Sequence, residues 1–242
     1  MDRSYERTTL SVEERHWWYV GRRRILAAAV ESLALPASAE ILDAGCGSGR
    51  NLEWLARSGS VTGLEPAGDS LEAARSRGAG PVLEGSIEAI PSEDRSFDLA
   101  TCFDVIEHVN DRIALRELRR VVRPDGLLVV TVPAYAWLWS DHDVRNRHRR
   151  RYTRRTLLEA AGETGWAPRW TSHFNSLLLP AAIGSRLLER ARGAGQPRSE
   201  FELTPAWLDP VLELPLRLEA ALIANGPRLP AGLSLLAVLE PG

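Results

Sequence analysis

The stretch EILDAGCGSGRNLEWLARSG, residues 40 to 59, constrains the fold more than any other in the chain. A short apolar run ends in glycines at 45, 47 and 49, and a helical period in Leu52, Leu55 and Ala56 follows at once. Strand, tight turn and helix N-terminus are therefore adjacent. The glycines let the backbone turn sharply off the strand and bring a ligand close to main-chain N–H groups at the helix start.

The same alternation continues. SVTGLEP reads as a second strand, SLEAARSRG as a helix, PVLEG and SFDLATCFDV as strands, and RIALRELRRVV as an amphipathic helix. RPDG is then a turn, and LLVVTVP a strand apolar enough to be buried on both faces. TRRTLLEAAGETG is expected to be helical, WAPRWTSHFN extended, residues 176 to 224 largely amphipathic helix, and LSLLAVLEP a last strand. Residues 11 to 34 also read as helix, closed by Pro36. Alternation of this kind predicts an α/β fold, a doubly wound parallel sheet with helices on both sides.

With 242 residues, 44% of them hydrophobic, the chain is long enough for a core of ordinary size and too apolar to be disordered. Cys46 and Cys102 lie in apolar surroundings without CxxC spacing, which suggests neither a disulfide framework nor a zinc site. The first residues, MDRSYERTTLSVEERHWWY, lack a signal-peptide core, and no stretch has the roughly 18 apolar residues of a spanning helix. A cytoplasmic protein is expected.

Two acidic residues sharpen the glycine turn. Asp43 makes the motif D-x-G-x-G-x-G, which differs from the dinucleotide pattern G-x-G-x-x-G. Glu65 closes the second strand, where a carboxylate can accept hydrogen bonds from both hydroxyls of a ribose. A P-loop lysine is absent, which argues against nucleoside triphosphate hydrolysis.

Together, ILDAGCGSGRNLEWL, the acidic end of VTGLEP, LEGSIEAIPSEDRSFDLATCFDVIEHV and LRRVVRPDGLLVVTVP resemble the ordered motifs of the class I S-adenosylmethionine-dependent methyltransferases, over about residues 38 to 133. The resemblance implies a Rossmann-like sheet of seven strands, the last antiparallel, with S-adenosylmethionine across the carboxyl ends of the first strands. It assigns the loop from Asp43 to Gly49, with Gly45, Cys46 and Gly47, to the methionine portion. Glu65, beside Pro66, takes the ribose, Ser86 and Ile87 flank the adenine, and Phe103 with Asp104 closes the pocket. Ser86 is a departure, since similar sequences often carry aspartate there. His108 in VIEHV would face the methyl group and titrate near neutral pH as a base, or else bond a neighbouring carboxylate such as Glu107 or Asp111.

SDHDVRNRHRRRYTRR, residues 140 to 155, carries seven arginines in a chain of formal charge -2. It belongs to a loop of about twenty residues, long enough to suggest a function. Thr153 reads as an N-cap, which sets Arg149, Arg150, Arg151, Arg154 and Arg155 around the positive end of a helix dipole. Two readings stay open: ion pairs with Asp141 and Asp143 that fix the loop, or an arginine grip on an anionic acceptor. The acceptor side is expected to include Tyr135, Trp139, His142, His148, Arg149 and Arg151. His142, Asp143 and His148 carry donors for a metal, but a third histidine at suitable spacing is missing, and no metal is expected.

A base-modifying methyltransferase usually carries an Asn/Asp-Pro-Pro-Tyr/Phe run where this chain reads FDVIEH. With a pI near 6.2 as well, the expected acceptor is a small anionic or lipid-like molecule rather than nucleic acid. A silent cofactor-binding protein is the remaining alternative. Trp17, in EERHWWYVGRRRIL, is expected over the cofactor, where its face would attract a sulfonium, or else to pack its helix onto the sheet. The expected organisation is one domain over 1–242: an N-terminal helical lid 1–35, a cofactor-binding core 38–175, a helical insertion 176–230 and a last strand 231–242. The insertion reads as a substrate lid, a homodimer face or a membrane-surface element, with no transmembrane segment.

Overall fold

The computed structural model describes residues 13–184 and 205–242. Seven strands form one sheet: β1 (Ala39–Ala44), β2 (Gly59–Glu65), β3 (Val82–Glu84), β4 (Phe97–Phe103), β5 (Val122–Pro133), β6 (Trp166–Phe174) and β7 (Ser234–Pro241). Their order is β3-β2-β1-β4-β5-β7-β6. Pairing is parallel from β3 to β5, and β7 runs antiparallel to both β5 and β6. The order reverses between β1 and β4, so the crevice outside their carboxyl ends is the place where such sheets bind ligands.

The helices are α1 (Trp17–Glu31), α2 (Arg50–Leu55), α3 (Asp69–Arg77), α4 (Asp111–Val121), α5 (Asp141–Arg145), α6 (Arg154–Gly162) and α7 (Asp209–Ala224). They cover both faces, and the period of two along the central strands divides the core between them. Leu128, Val130 and Val132 of β5 join the α4 and α6 residues Leu115, Leu118 and Leu157. Leu127 and Val129 join Ile25 and Leu26 of α1, Leu52 of α2 and Leu216 of α7. Each fully buried Leu or Ile contributes on the order of 1.5–3 kcal/mol relative to exposure. At the sheet edge, β6 tolerates Pro168, where its register with β7 shifts.

Several boundaries differ from expectation. Residues 13 to 15 form a turn and His16 caps α1, its Nδ1 accepting from the Trp18 N–H at 3.3 Å, so the helix starts six residues later than expected. RPDG, expected as a turn ahead of the strand LLVVTVP, lies within β5. Val122 pairs with Phe97, the register shifts, and Leu127 pairs with Leu99, so the segment is an irregularity inside a longer strand. The long loop after β5 holds a 3-10 turn (Ala136–Leu138) and α5. The expected helix over 176 to 224 is realised at residues 179–184 and in α7, and its 185–204 portion lies outside the described residues, as do residues 1–12 of the expected lid. Val211, Leu214 and Leu218 form an exposed apolar stripe along α7, and Trp207 is exposed just before it. Among the described residues, no helix is long and apolar enough to cross a membrane.

Candidate active site

The turn after β1 passes through Gly45, Gly47 and Gly49 at φ of 78°, 55° and 80°. It is tied to β2: the N–H groups of Gly45 and Cys46 donate to the Leu64 carbonyl at 2.7 and 3.0 Å. The Gly47 N–H donates to Glu65 Oε2 at 2.9 Å. A Cβ on Gly49 would stand 3.0 Å from Ala74 Cα, whereas around Gly47 the space is open. The turn is thus packed below and accessible above, with Glu65 directed at it.

Asp43 lies buried beneath this turn. Its Oδ1 accepts from Thr101 Oγ1 at 2.7 Å, while Oδ2 is buried with no hydrogen-bond partner. Burial pushes the carboxyl up to about 6, against the Thr101 bond and the charge of Arg22. Burial also pushes the Cys46 thiol well up, which leaves it a packing residue. Pro66 is exposed after β2, Ser86 Oγ accepts from the Glu88 N–H at 3.1 Å, and Ile87 is buried. Phe103 is buried under Trp54, with ring centroids 6.4 Å apart. Trp17 packs against the core cluster of α1, α2 and α7.

The sequence analysis missed Glu13. Its buried carboxylate accepts from Ser48 Oγ at 2.6 Å and from Arg77 Nη2 at 3.0 Å, so it fastens the glycine turn from outside the motif. No spacing rule relates Glu13 to Ser48, and only their meeting in the fold reveals the role.

Beyond β4, Asp104 has φ of 57°, an unfavourable value for an aspartate, and is held there from two sides. Arg22 Nη2 of α1 donates to its Oδ2 at 2.6 Å and Thr131 Oγ1 to its Oδ1 at 3.1 Å. Three residues on, Glu107 is fully buried and neither of its carboxylate oxygens has a hydrogen-bond partner. Burial, and then the charge of Asp104, holds its carboxyl well above the usual range.

His108 does not bond Glu107 or Asp111 as one reading expected. It meets His148 edge to face, centroids 4.8 Å apart. Burial, and then His148, pushes its imidazole down to about 4, which overturns the expectation of titration near neutral pH.

The arginine loop separates into distinct roles. Arg151 places Nε and Nη2 on the two oxygens of Asp143, each at 2.8 Å, and Nη1 on the Ala134 carbonyl at 3.1 Å. His148 Nδ1 lies 2.8 Å from Asp143 Oδ1. Although burial opposes it, the hydrogen bonds from His148 and Arg151 hold the Asp143 carboxyl well below the usual range. Arg150 pairs with Asp111 at 2.7 Å, and Tyr152 Oη donates to the same carboxylate at 2.9 Å. Arg151, expected on the acceptor, is therefore committed to the fold, and Asp143 and Asp111 rather than Asp141 are the partners seen. Arg149 stays exposed, its backbone N–H donating to the Glu107 carbonyl at 2.9 Å, with no ion-pair partner among the described residues. Thr153 caps α6, accepting from the Thr156 N–H at 3.2 Å.

Tyr135 stacks on His173, centroids 5.5 Å apart, and its hydroxyl lies 3.1 Å from His173 Nε2. Trp137 stacks on its other side at 5.7 Å, and Trp139 is 39% exposed. His142 Nε2 lies 3.1 Å from Asn146 Nδ2. His142 stays outside the group formed here, whose second imidazole comes from His108 beyond β4: donor atoms of Glu107, His108 and His148 all lie within 4.8 Å of one another. A separate cavity of about 570 Å³, lined by Arg23, Arg57, Arg217 and Trp54 among others, contains none of these residues. Its walls mix arginines and glutamates with alanines and Trp54.

Residues 42–130 match the methyltransferase domain family. The chain is 33% identical to a malonyl-[acyl-carrier protein] O-methyltransferase of Pseudescherichia vulneris, over 69% of each chain. It is 33% identical to a ubiquinone biosynthesis O-methyltransferase of Methylocella silvestris, over 71% of this chain and 62% of that one. Several other curated relatives are matched over only 32% to 41% of their length. Among solved structures, a methyltransferase of Haloferax volcanii in complex with the Trm112 methyltransferase activator has the same fold. It aligns at a TM-score of 0.64 and 18% identity, over 97% of this chain and 93% of that one.

Proposed function

The chain belongs to the class I S-adenosylmethionine-dependent methyltransferases, and from that premise we propose that it transfers a methyl group to an oxygen of a small, anionic or lipid-like acceptor. The carrying observation is the pairing of the glycine turn with Asp43 and Glu65 on neighbouring strands. These residues fit the family's cofactor. The unpartnered Oδ2 of Asp43 offers negative charge beneath an open cradle at Gly47, suited to the cationic methionine end. Glu65 stands at the end of β2, within reach of a ribose, with Pro66, Ser86 and Ile87 toward the adenine and Phe103 with Asp104 closing the far side. Bound there, S-adenosylmethionine supplies an activated methyl group. The chain's own work is then to align the acceptor and exclude water.

On the acceptor side, Asp104, His108 and His148 meet at the mouth of β4, with α1 tethered over them through Arg22. His108, shifted to about 4, is neutral at physiological pH but a weak base, which favours alignment over proton abstraction by this residue. Arg149, free of the ion pairs that bind Arg150 and Arg151, is the arginine suited to an anionic group. Buried carboxylates already pair Arg150 and Arg151, which lowers the charge this loop presents. Oxygen as the acceptor atom follows the names of the two relatives aligned over most of this chain. In the proposed organisation residues 38–175 hold the cofactor, and residues 176–230 form an insertion that serves as a substrate lid, a dimer face or a membrane-surface element.

Calorimetric titration with S-adenosylmethionine, followed by a screen of hydroxyl- and carboxylate-bearing metabolites for S-adenosylhomocysteine release, tests this reading. Binding with turnover of such an acceptor is expected. Absence of binding by folded protein would overturn it, and binding without turnover of any acceptor would favour a silent cofactor-binding role.

A further inference from the structure

Glu107 is the least satisfied polar side chain near the proposed acceptor site. It is fully buried, and neither oxygen has a hydrogen-bond donor. An unmet buried polar group of this kind is destabilising, and more so if charged. Opposite it stands His148, whose Nε2 is 4.0 Å from Glu107 Oε1, too far for a hydrogen bond. The other ring nitrogen of His148 is fixed by Asp143 Oδ1 at 2.8 Å. Asp143 is itself clamped by Arg151, so Nδ1 carries the proton and the Nε2 lone pair is aimed at Glu107. His108 completes the group, its ring 4.8 Å from that of His148.

Potential ligand atoms from three side chains thus converge, with neither oxygen of Glu107 hydrogen-bonded. A carboxylate that orients one histidine while the other nitrogen faces a shared centre is the arrangement found behind metal-ligating imidazoles. Asp104 is not part of the set, because Arg22 and Thr131 already occupy its oxygens.

We propose that Glu107, His108 and His148 bind one first-row divalent transition ion, of the Zn²⁺ or Co²⁺ class, at the acceptor end of the sheet. One carboxylate oxygen and two imidazoles suit such ions better than Mg²⁺ or Ca²⁺, which prefer all-oxygen shells. The donor atoms lie within 4.8 Å of one another. Ligand bonds of about 2 Å in a tetrahedral site require separations of about 3.3 Å, so rotation of the half-buried His108 and of the Glu107 carboxylate, whose Oε1 is 4.0 Å from His148 Nε2, is needed to close the set. Three protein ligands leave a fourth position open, where the ion would take an oxygen of the acceptor and lower its pKa, so that its proton is lost to solvent before the oxygen receives the methyl group and S-adenosylhomocysteine leaves. That role, though not the site itself, rests on the methyl-transfer reading.

The test uses the full chain, stripped with a chelator and then titrated with Co²⁺, which reports imidazole coordination by its visible absorption, and with Zn²⁺ by calorimetry. One equivalent per chain with micromolar or tighter affinity is expected. Glu107→Gln and His148→Asn should each weaken binding by roughly 10- to 100-fold. His108→Asn serves where either variant fails to fold. Failure to bind either ion below millimolar concentration, or unchanged binding in folded variants, overturns the proposal. S-adenosylmethionine titrated into the same preparations separates the two claims: cofactor binding without ion binding removes the ion site alone.

Discussion

Asp43 and Glu65 stand at the ends of adjacent parallel strands, and each is held by a contact that presents it to the glycine turn. Glu65→Ala is expected to weaken S-adenosylmethionine binding by roughly 1.5–3 kcal/mol, because two hydrogen bonds to a charged acceptor disappear together. Calorimetry on the folded variant checks this, and unchanged affinity removes Glu65 from the site. His108 makes a different prediction. Its pKa of about 4 in the fold lies below the 6.5 of an ordinary histidine. In that window the unfolded chain binds a proton that the folded chain does not, so stability falls as pH drops from about 6.5 to about 4. Denaturant titrations of chelator-treated protein should show this loss, and His108→Gln should flatten it. Parallel pH profiles for the two proteins would show that the imidazole is not buried in its neutral form.

At the scale of elements, the segment from β5 to α6 is fixed from inside by a buried ion pair. Side-chain exposure is 9% for Arg151 and 0% for Asp143. Breaking such a pair from one side leaves a buried charge unmatched and costs about 3–5 kcal/mol. Arg151→Gln should therefore lower the melting temperature whether or not acceptor is present. Asp143→Asn should do the same, and the pair should couple strongly in a double-mutant cycle. Arg149→Gln should leave the melting temperature in place and raise the acceptor KM, since a shared ground-state and transition-state contact is lost. An Arg151 variant with native stability would return that residue to the acceptor side.

For the whole molecule, the covering layer depends on close approach of α1 and α7. Gly21 sits against the fully buried Leu216, and an added Cβ would stand 2.6 Å from Leu216 Cβ. Arg24 and Glu213 join the same two helices at 2.5 Å. Gly21→Ala is expected to lower stability by about 1–3 kcal/mol as α7 is displaced. The displacement should also weaken the tether of α1 to Asp104 through Arg22. Thermal denaturation measures the first effect, and a variant as stable as the parent would show that the two helices are not tightly packed.

The sequence alone determined the strand–turn–helix order, the places of Asp43 and Glu65, the Thr153 cap and the reversed last strand implied by family resemblance. These are local signals: glycine tolerates positive φ, buried strands are continuously apolar, and a hydroxyl before a helix caps it. Position in the sequence also put His108, Glu107 and the arginine loop near one another only in outline. Tertiary structure decided which arginine is committed and which is exposed, because Asp111 reaches Arg150 from α4 and Asp143 turns inward to Arg151. It also decided that Glu13 fastens Ser48, and that His108 meets His148 across forty residues of chain. Ion pairing and desolvation depend on which distant groups share a buried volume, and no periodicity along the chain encodes that.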